Sequence, residues 1–320
     1  MHRPHRHDAP ESAPVAAAAH DRDHDHGHGH SHGHGNGHGH HATDTDWSAL
    51  ADLLEREGEL HTPAFTQATQ WLGELTARAP VGRVLDVGSG PGVVAGLLAD
   101  VFPAAEVVAV DRSAALLARA EARSSGRVAT RQADLPDEFG LLGAADLIWS
   151  SQAIHHLGDQ QAALASLAGS LRPGGMLAVA ERGLPLRFLP RDLGLGRPGL
   201  QARLDAAYED AFAAMRAQLP GVVDEVEDWP AMLSRAGLTP TGSRTFLVEW
   251  PAPLAALARE HLHAQLERRR EQLDGILAAD DLAALDVLLD RDAPAGILAR
   301  PDAFYLVAVT VHTARAAAAE

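Results

Sequence analysis

Residues 84–92 read Val-Leu-Asp-Val-Gly-Ser-Gly-Pro-Gly: an apolar run through Asp86, followed by glycines at 88, 90 and 92 with Ser89 between the first two. Where a strand delivers the chain into such a turn and a helix starts at once, Gly88, Gly90 and Gly92 let the backbone approach a ligand closely. Two further acids sit at predicted strand ends. Asp111, followed by Arg112, is placed where one carboxylate accepts both hydroxyls of a ribose. Asp134, within Ala133-Asp134-Leu135, is placed to take the exocyclic amine of an adenine. The glycine spacing is G-x-G-x-G. A dinucleotide fingerprint needs a glycine at position 93, where this chain has Val93, which disfavours a nicotinamide oxidoreductase.

A second group of reactive side chains lies further on. His155 and His156 end the run Asp146–Leu157, and an imidazole with its ordinary pKa of about 6.5 suits a general base where an acceptor must lose a proton. Gln152, Glu181 and Arg182 stand at the ends of the fourth and fifth predicted strands as candidate substrate contacts, the last two also able to pair with each other. Glu59 and His61 fall between two predicted helices, on a loop able to close over the site.

The elements that must hold these residues follow from periodicity. Helices are predicted over Trp47–Glu57 and from Pro63, a favoured first-turn residue, to Arg78. Apolar strands then alternate with helices: strands at Arg83–Val87, Glu106–Val110, Arg127–Gln132, Asp146–Ser150 and Met176–Glu181, helices after the glycine turn to Val101 and at Ser113–Arg123 and Gln160–Leu171. Arg172-Pro173-Gly174-Gly175 reads as a turn. Near-continuous apolar strands between helices predict an α/β fold with a parallel sheet covered on both faces. Beyond Glu181 the alternation loosens. Helices are expected at Leu200–Leu219, Trp229–Ala236, Pro251–Leu273 and Asp280–Leu289, and strands at Arg244–Trp250 and Ala303–Thr313.

With glycine loop, ribose acid and adenine acid on three successive strand ends, the sequence resembles the class I S-adenosylmethionine-dependent methyltransferases, especially small-molecule enzymes similar to those of quinone biosynthesis. The resemblance covers residues 81–182, including Asp146–Leu157 and the Leu171–Leu177 entry to strand five. It implies a Rossmann-like doubly wound sheet of order 3-2-1-4-5-7-6 with the last strand antiparallel. It implies S-adenosylmethionine held by Asp86, Gly88, Ser89, Gly90, Gly92, Asp111, Arg112, Ala133, Asp134 and Leu135, with Ser150 and Ser151 beside its methionine part. His155 and His156 become catalytic candidates, and His61, Gln152, Glu181 and Arg182 substrate contacts. The activity implied is direct in-line methyl transfer to a small-molecule acceptor. One departure is visible: a helical insert of about fifty residues stands where the family joins its last two strands by a short turn.

Residues 1–46 read differently. They carry thirteen of the nineteen histidines among Gly and Asp, with few large apolar side chains, and are expected to be disordered, because ordering costs roughly 1–2 kcal/mol per residue with little burial to offset it. His24, His26, His28, His30, His32, His34, His38 and His40 suit zinc, nickel or copper. An alternative reading is therefore a catalytically degenerate fold that serves metal binding through this tail. Residues 47–320 form the expected methyltransferase domain: N-terminal helices at 47–80, the cofactor core at 81–182, lid and insert at 183–300 and the last strand at 301–320.

Composition excludes other chemistries. No cysteine is present, and all 27 basic residues are arginine, which removes thiolate, Schiff-base and P-loop lysine chemistry. The net charge of −16 lies mostly beyond residue 46, since the tail holds seven acids and three arginines. A body that acidic disfavours a nucleic-acid partner. With no 18-residue apolar run and no signal-peptide core, no membrane partner is expected and the sequence reads as cytoplasmic.

Overall fold

The computed structural model describes Trp47 and residues 49–135 and 137–319. The metal-binding expectations on His24 to His40 therefore lie outside the described residues. Seven strands form one sheet: β1 (Arg83–Val87), β2 (Glu106–Asp111), β3 (Ala129–Gln132), β4 (Ala145–Ser151), β5 (Leu171–Arg187), β6 (Thr239–Trp250) and β7 (Tyr305–Arg315). Their order is β3-β2-β1-β4-β5-β7-β6, with β1 to β5 parallel and β7 antiparallel to both neighbours. The eight helices of the described residues are α1 (Ala51–Thr76), α2 (Val93–Val101), α3 (Ala114–Ser124), α4 (Gln160–Gly169), α5 (Leu200–Arg216), α6 (Trp229–Arg235), α7 (Ala256–Gln272) and α8 (Ala279–Leu289). The expected helical insert before the last strand is α7 and α8.

Burial on both faces explains why the central strands read as unbroken apolar runs. Val84, Leu147, Trp149 and Ala178 pack under α1, α2, α3, α7 and α8, while the alternate residues Leu85, Ile148, Leu177 and Val179 pack under α4 and α6. The predicted strands and helices fall on the observed ones with ends shifted by a few residues, except at three places.

The two predicted N-terminal helices are one. The buried stripe Leu60, His61, Ala64, Phe65, Ala68 and Leu72 runs through Pro63 without a break, and Pro63 itself faces outward. Packing of that stripe outweighs the roughly 3 kcal/mol that an interior proline costs. Thr62 Oγ1 donates to the Gly58 carbonyl at 3.1 Å in the turn before the proline. Glu59 and His61 accordingly sit inside a helix, not on a loop.

Arg172-Pro173-Gly174-Gly175 is a bulge within β5, not a turn before it. Ala145 pairs with Leu171 and Leu147 with Met176, so two steps on β4 oppose five on β5. Gly174, at φ +77°, donates its N–H to Ala317 and accepts from Arg315 Nη1, each at 2.9 Å, which fastens the bulge to the end of β7. Thirdly, β5 continues past Glu181 to Arg187, because β7 pairs along it as far as Arg187 opposite Leu306.

Because Pro63 is exposed and interrupts the α1 ladder, Pro63→Ala restores one backbone hydrogen bond without touching the core. It is expected to raise stability by about 1–2 kcal/mol in chemical denaturation, the helix gain exceeding the entropy returned to the unfolded chain. No gain would mean that the chain bends at this point in solution.

Candidate active site

The carboxyl ends of β1, β2, β4 and β5 open onto one cavity of about 500 Å³, within the range of small-molecule sites. Its floor is the glycine turn. Gly88 N–H and Ser89 N–H both donate to the Val110 carbonyl, at 2.9 and 3.0 Å, which bends the chain out of β1 across the end of β2. The three glycines have different reasons to be glycine, although φ is +73°, +53° and +74° in turn. A Cβ on Gly88 would lie 2.4 Å from Ala153 Cβ, and one on Gly92 2.4 Å from Ala120 Cβ. A Cβ on Gly90 would meet no protein atom within 4 Å. Packing excludes side chains at 88 and 92; at 90 the space is kept open toward the cavity.

Asp111 fixes this turn. Its Oδ2 accepts Gly90 N–H and its Oδ1 accepts Ser113 N–H, both at 2.9 Å, while Ser113 caps α3. Arg112 N–H acts on the same carboxylate, and with about four acceptor sites in all the group is still not filled. Burial raises the Asp111 pKa, against the lowering effect of the Ser113 and Gly90 donors and of the Arg112 charge and N–H. Asp86 lies deeper, 1% exposed, with Oδ2 lacking any partner. Burial, followed by the charge of Asp111, pushes it up to about 7. Ser89 Oγ is likewise buried without a partner, so both atoms keep unused hydrogen-bonding capacity among the described residues.

The remaining predicted cofactor residues divide. Arg112, Ala133, Leu135, Ser150 and Ser151 line the cavity, although Ser150 Oγ is spent on the Val87 carbonyl at 2.9 Å. Gly92 lies behind the wall. Asp134 does not line the cavity: its side chain is 69% exposed and stands 3.9 Å from Arg112 Nε. Gln152 lines the cavity and holds φ +53°, a left-handed conformation at the end of β4.

The histidine pair is a buried structure in its own right. His155 Nδ1 lies 2.8 Å from Glu181 Oε2, and His156 sits between the Trp47 edge at 5.1 Å and Phe212 at 6.2 Å. Burial, then Arg182, pushes His155 down to about 4; burial, then His155, pushes His156 down to about 3. Burial, then Glu227, pushes Glu181 up to about 8. The ordinary imidazole pKa assumed for a general base does not hold here. Glu181 touches His155 rather than the cavity, and it makes no pair with Arg182, whose Nη1 bonds Glu209 at 2.8 Å.

His61, though helical, does face the cavity, with Nε2 2.8 Å from the Tyr305 hydroxyl. Glu59 instead pairs with Arg123 at 3.0 Å on the outer side of α1. The residues that sequence reasoning missed come from α5, α7 and the start of β7: Tyr208, Phe212, Arg268, Arg269 and Tyr305. Arg269 pairs with Asp205 at 3.1 Å and lies over Tyr208; Arg268 makes no hydrogen bond or ion pair among the described residues. The run Arg268-Arg269-Arg270 was the available signal, but only packing shows that Arg270 turns away to Asp274 and Asp286.

Residues 84–175 match the family model described as a methyltransferase domain. The trans-aconitate 2-methyltransferase of Methylobacterium nodulans is 34% identical over 255 residues, covering 78% of this chain and 91% of that protein. That of Paracidovorax citrulli is 30% identical, covering 55% and 70%. That of Deinococcus radiodurans is 40% identical over 108 residues, which span only 41% of its length. These three relatives carry that name rather than a quinone-biosynthesis one. With the strand order expected for the family, the glycine turn and Asp111 at successive strand ends, and a relative matched over nearly its full length, the chain belongs to the class I S-adenosylmethionine-dependent methyltransferases.

Proposed function

We propose that this enzyme methylates a small molecule bearing at least one carboxylate, by direct in-line displacement. The observation that carries the reading is Arg268, an arginine without an acid partner among the described residues, in the same cavity as the glycine turn and Asp111. Arg182 and Arg269 flank the cavity with it, each already balanced by Glu209 or Asp205, so an arriving carboxylate meets one uncommitted guanidinium. Guanidinium is the side chain best matched to a carboxylate, through two parallel N–H donors. The trans-aconitate named for the three relatives is a molecule of that class. Tyr208, Phe212 and Leu186 supply an apolar wall for its carbon skeleton.

S-adenosylmethionine supplies a methyl group already activated by its sulfonium charge, so the protein's share is alignment and exclusion of water. In this reading Asp111 receives the ribose hydroxyls on its free lone pairs, Asp86 and Ser89 receive the methionine ammonium, and Ala133 and Leu135 flank the adenine. Gly90 leaves the space the cofactor occupies. Asp134 stands at the rim, where it meets the adenine amine from the solvent side. No base is required, since a carboxylate acceptor has no proton to lose. No helix of the described residues is long and apolar enough to cross a membrane.

Two measurements check this. In calorimetric titration with S-adenosylmethionine, Asp111→Ala and Gly90→Ala are expected to weaken binding at least about tenfold while remaining folded. Gly92→Ala, by contrast, is expected to lose about 2 kcal/mol or more of stability through its contact with Ala120. Failure of the folded native protein to bind the cofactor would defeat the reading. With trans-aconitate as the acceptor probe, Arg268→Ala is expected to raise KM at least about tenfold with kcat little changed, the signature of lost acceptor binding. An unchanged KM would place the acceptor elsewhere.

A further inference from the structure

Glu181 meets the cavity only by way of His155, the residue it bonds. It is 5% exposed, its Oε2 lies 2.8 Å from His155 Nδ1, and its Oε1 is buried with no partner. The arginines that act on this pair are committed elsewhere, Arg182 to Glu209 and Arg216 to the carbonyls of His155 and Leu157. With Nδ1 taken, the other ring nitrogen, Nε2, makes no hydrogen bond among the described residues, and His155 lines the cavity.

Proton counting then fixes what Nε2 offers. Suppose Glu181 and Nδ1 share one proton. If it rides on oxygen, the neutral imidazole must carry its own hydrogen on Nε2; if it rides on nitrogen, the imidazolium carries hydrogen on both nitrogens. Either way Nε2 is a donor and the pair is neutral overall. Once that proton leaves, the imidazole's single hydrogen points at the carboxylate, Nε2 becomes a lone pair, and the pair carries a negative charge.

We infer that the Glu181–His155 pair holds one proton in the working enzyme and presents Nε2–H to a carboxylate oxygen of the acceptor, so that Glu181 is a positioning residue that sets acceptor specificity through His155. The inference rests on the carboxylate acceptor proposed above. It follows from the geometry of a buried carboxyl with one orphaned oxygen and no cation bonded to it, which keeps its proton because ionising it there is costly. The upward displacement of Glu181 and the downward displacement of His155 agree with that. A lone pair at Nε2 would instead face the acceptor's negative oxygen.

Charged and titratable groups act on the pair from several elements: His156 in the same turn, Arg182 on β5, Glu209 and Arg216 on α5, and Glu227 before α6, with Arg268 on α7 acting on His156. The arginines keep their charge across the useful range. Acceptor binding should therefore be strong below the value of about 8 held by Glu181 and weaken as pH rises through it.

The test uses the full chain saturated with S-adenosylhomocysteine, with trans-aconitate as the carboxylate probe. Nitrogen-15 histidine NMR, with His155 identified by the signals missing from His155→Gln, is expected to show Nε2 protonated at pH 7 and deprotonated well above pH 8. The Kd of the probe should rise at least about tenfold between pH 7 and 9.5. In Glu181→Gln the amide donates to Nδ1 and keeps hydrogen on Nε2, so Kd should stay flat over that range. A lone pair on Nε2 at pH 7, a flat profile in the native enzyme, or the native slope surviving in Glu181→Gln would each overturn the inference. Absence of probe binding at every pH would overturn the carboxylate acceptor and the donor's target with it, while the NMR signal still decides the proton count of the pair.

Discussion

The Asp111 carboxylate is the point on which the site is strung. By accepting Gly90 N–H on one oxygen and Ser113 N–H on the other, it ties the turn after β1 to the start of α3 across the end of β2. That bond, with the two donated to the Val110 carbonyl, fixes a loop whose glycines have no conformational preference of their own. The loop in turn sets where α2 starts and where open space remains above Gly90. The carboxylate does this without exhausting its lone pairs, so a structural anchor is also an unfinished hydrogen-bond site.

In and behind the cavity wall, other buried polar groups are left incomplete in the same way. Asp86 and Glu181 each have an oxygen without a partner, and both are pushed toward the neutral form by burial. His155, His156 and His261 are pushed the same way, toward the uncharged imidazole, with His261 fully buried and neither nitrogen bonded. With Asp205 and Glu209 each paired to an arginine, Arg268 is the cavity arginine left to meet an anion, on the side away from Asp111 in this reading. That holds despite the chain's net charge of −16. Overall charge speaks to long-range attraction; the cavity's chemistry is set by which few groups keep their charge.

How much of this was legible in the sequence follows from what each feature depends on. The strands through Glu181 were visible because burial on both faces writes itself as unbroken apolar runs, and Asp111 was visible because it closes one of them. Pro63 and Arg172-Pro173-Gly174-Gly175 were misread for a common reason: both are local breaker signals overridden by tertiary structure, the first by a continuous buried stripe and the second by pairing with β7. Arg268 and Tyr305 were invisible because they reach the cavity from an insert and a strand start that carry no motif. The partnership of His155 with Glu181 could not be read either, since the residues stand 26 positions apart and meet only when β4 and β5 lie side by side. Asp134, a motif position, has its exposed side chain beside Arg112 and outside the cavity lining, which the motif alone does not tell.

In the proposed arrangement one cavity holds S-adenosylmethionine on the Asp111 side and a carboxylate on the Arg268 side. A crystal structure of the full chain grown with S-adenosylhomocysteine and trans-aconitate tests it most directly. The expected density has ribose hydroxyls on Asp111, the ligand's ammonium near Asp86 and a trans-aconitate carboxylate paired with the Arg268 guanidinium, facing the sulfur. Ribose density away from Asp111, or a carboxylate bound outside the cavity with Arg268 left unpaired, would contradict it.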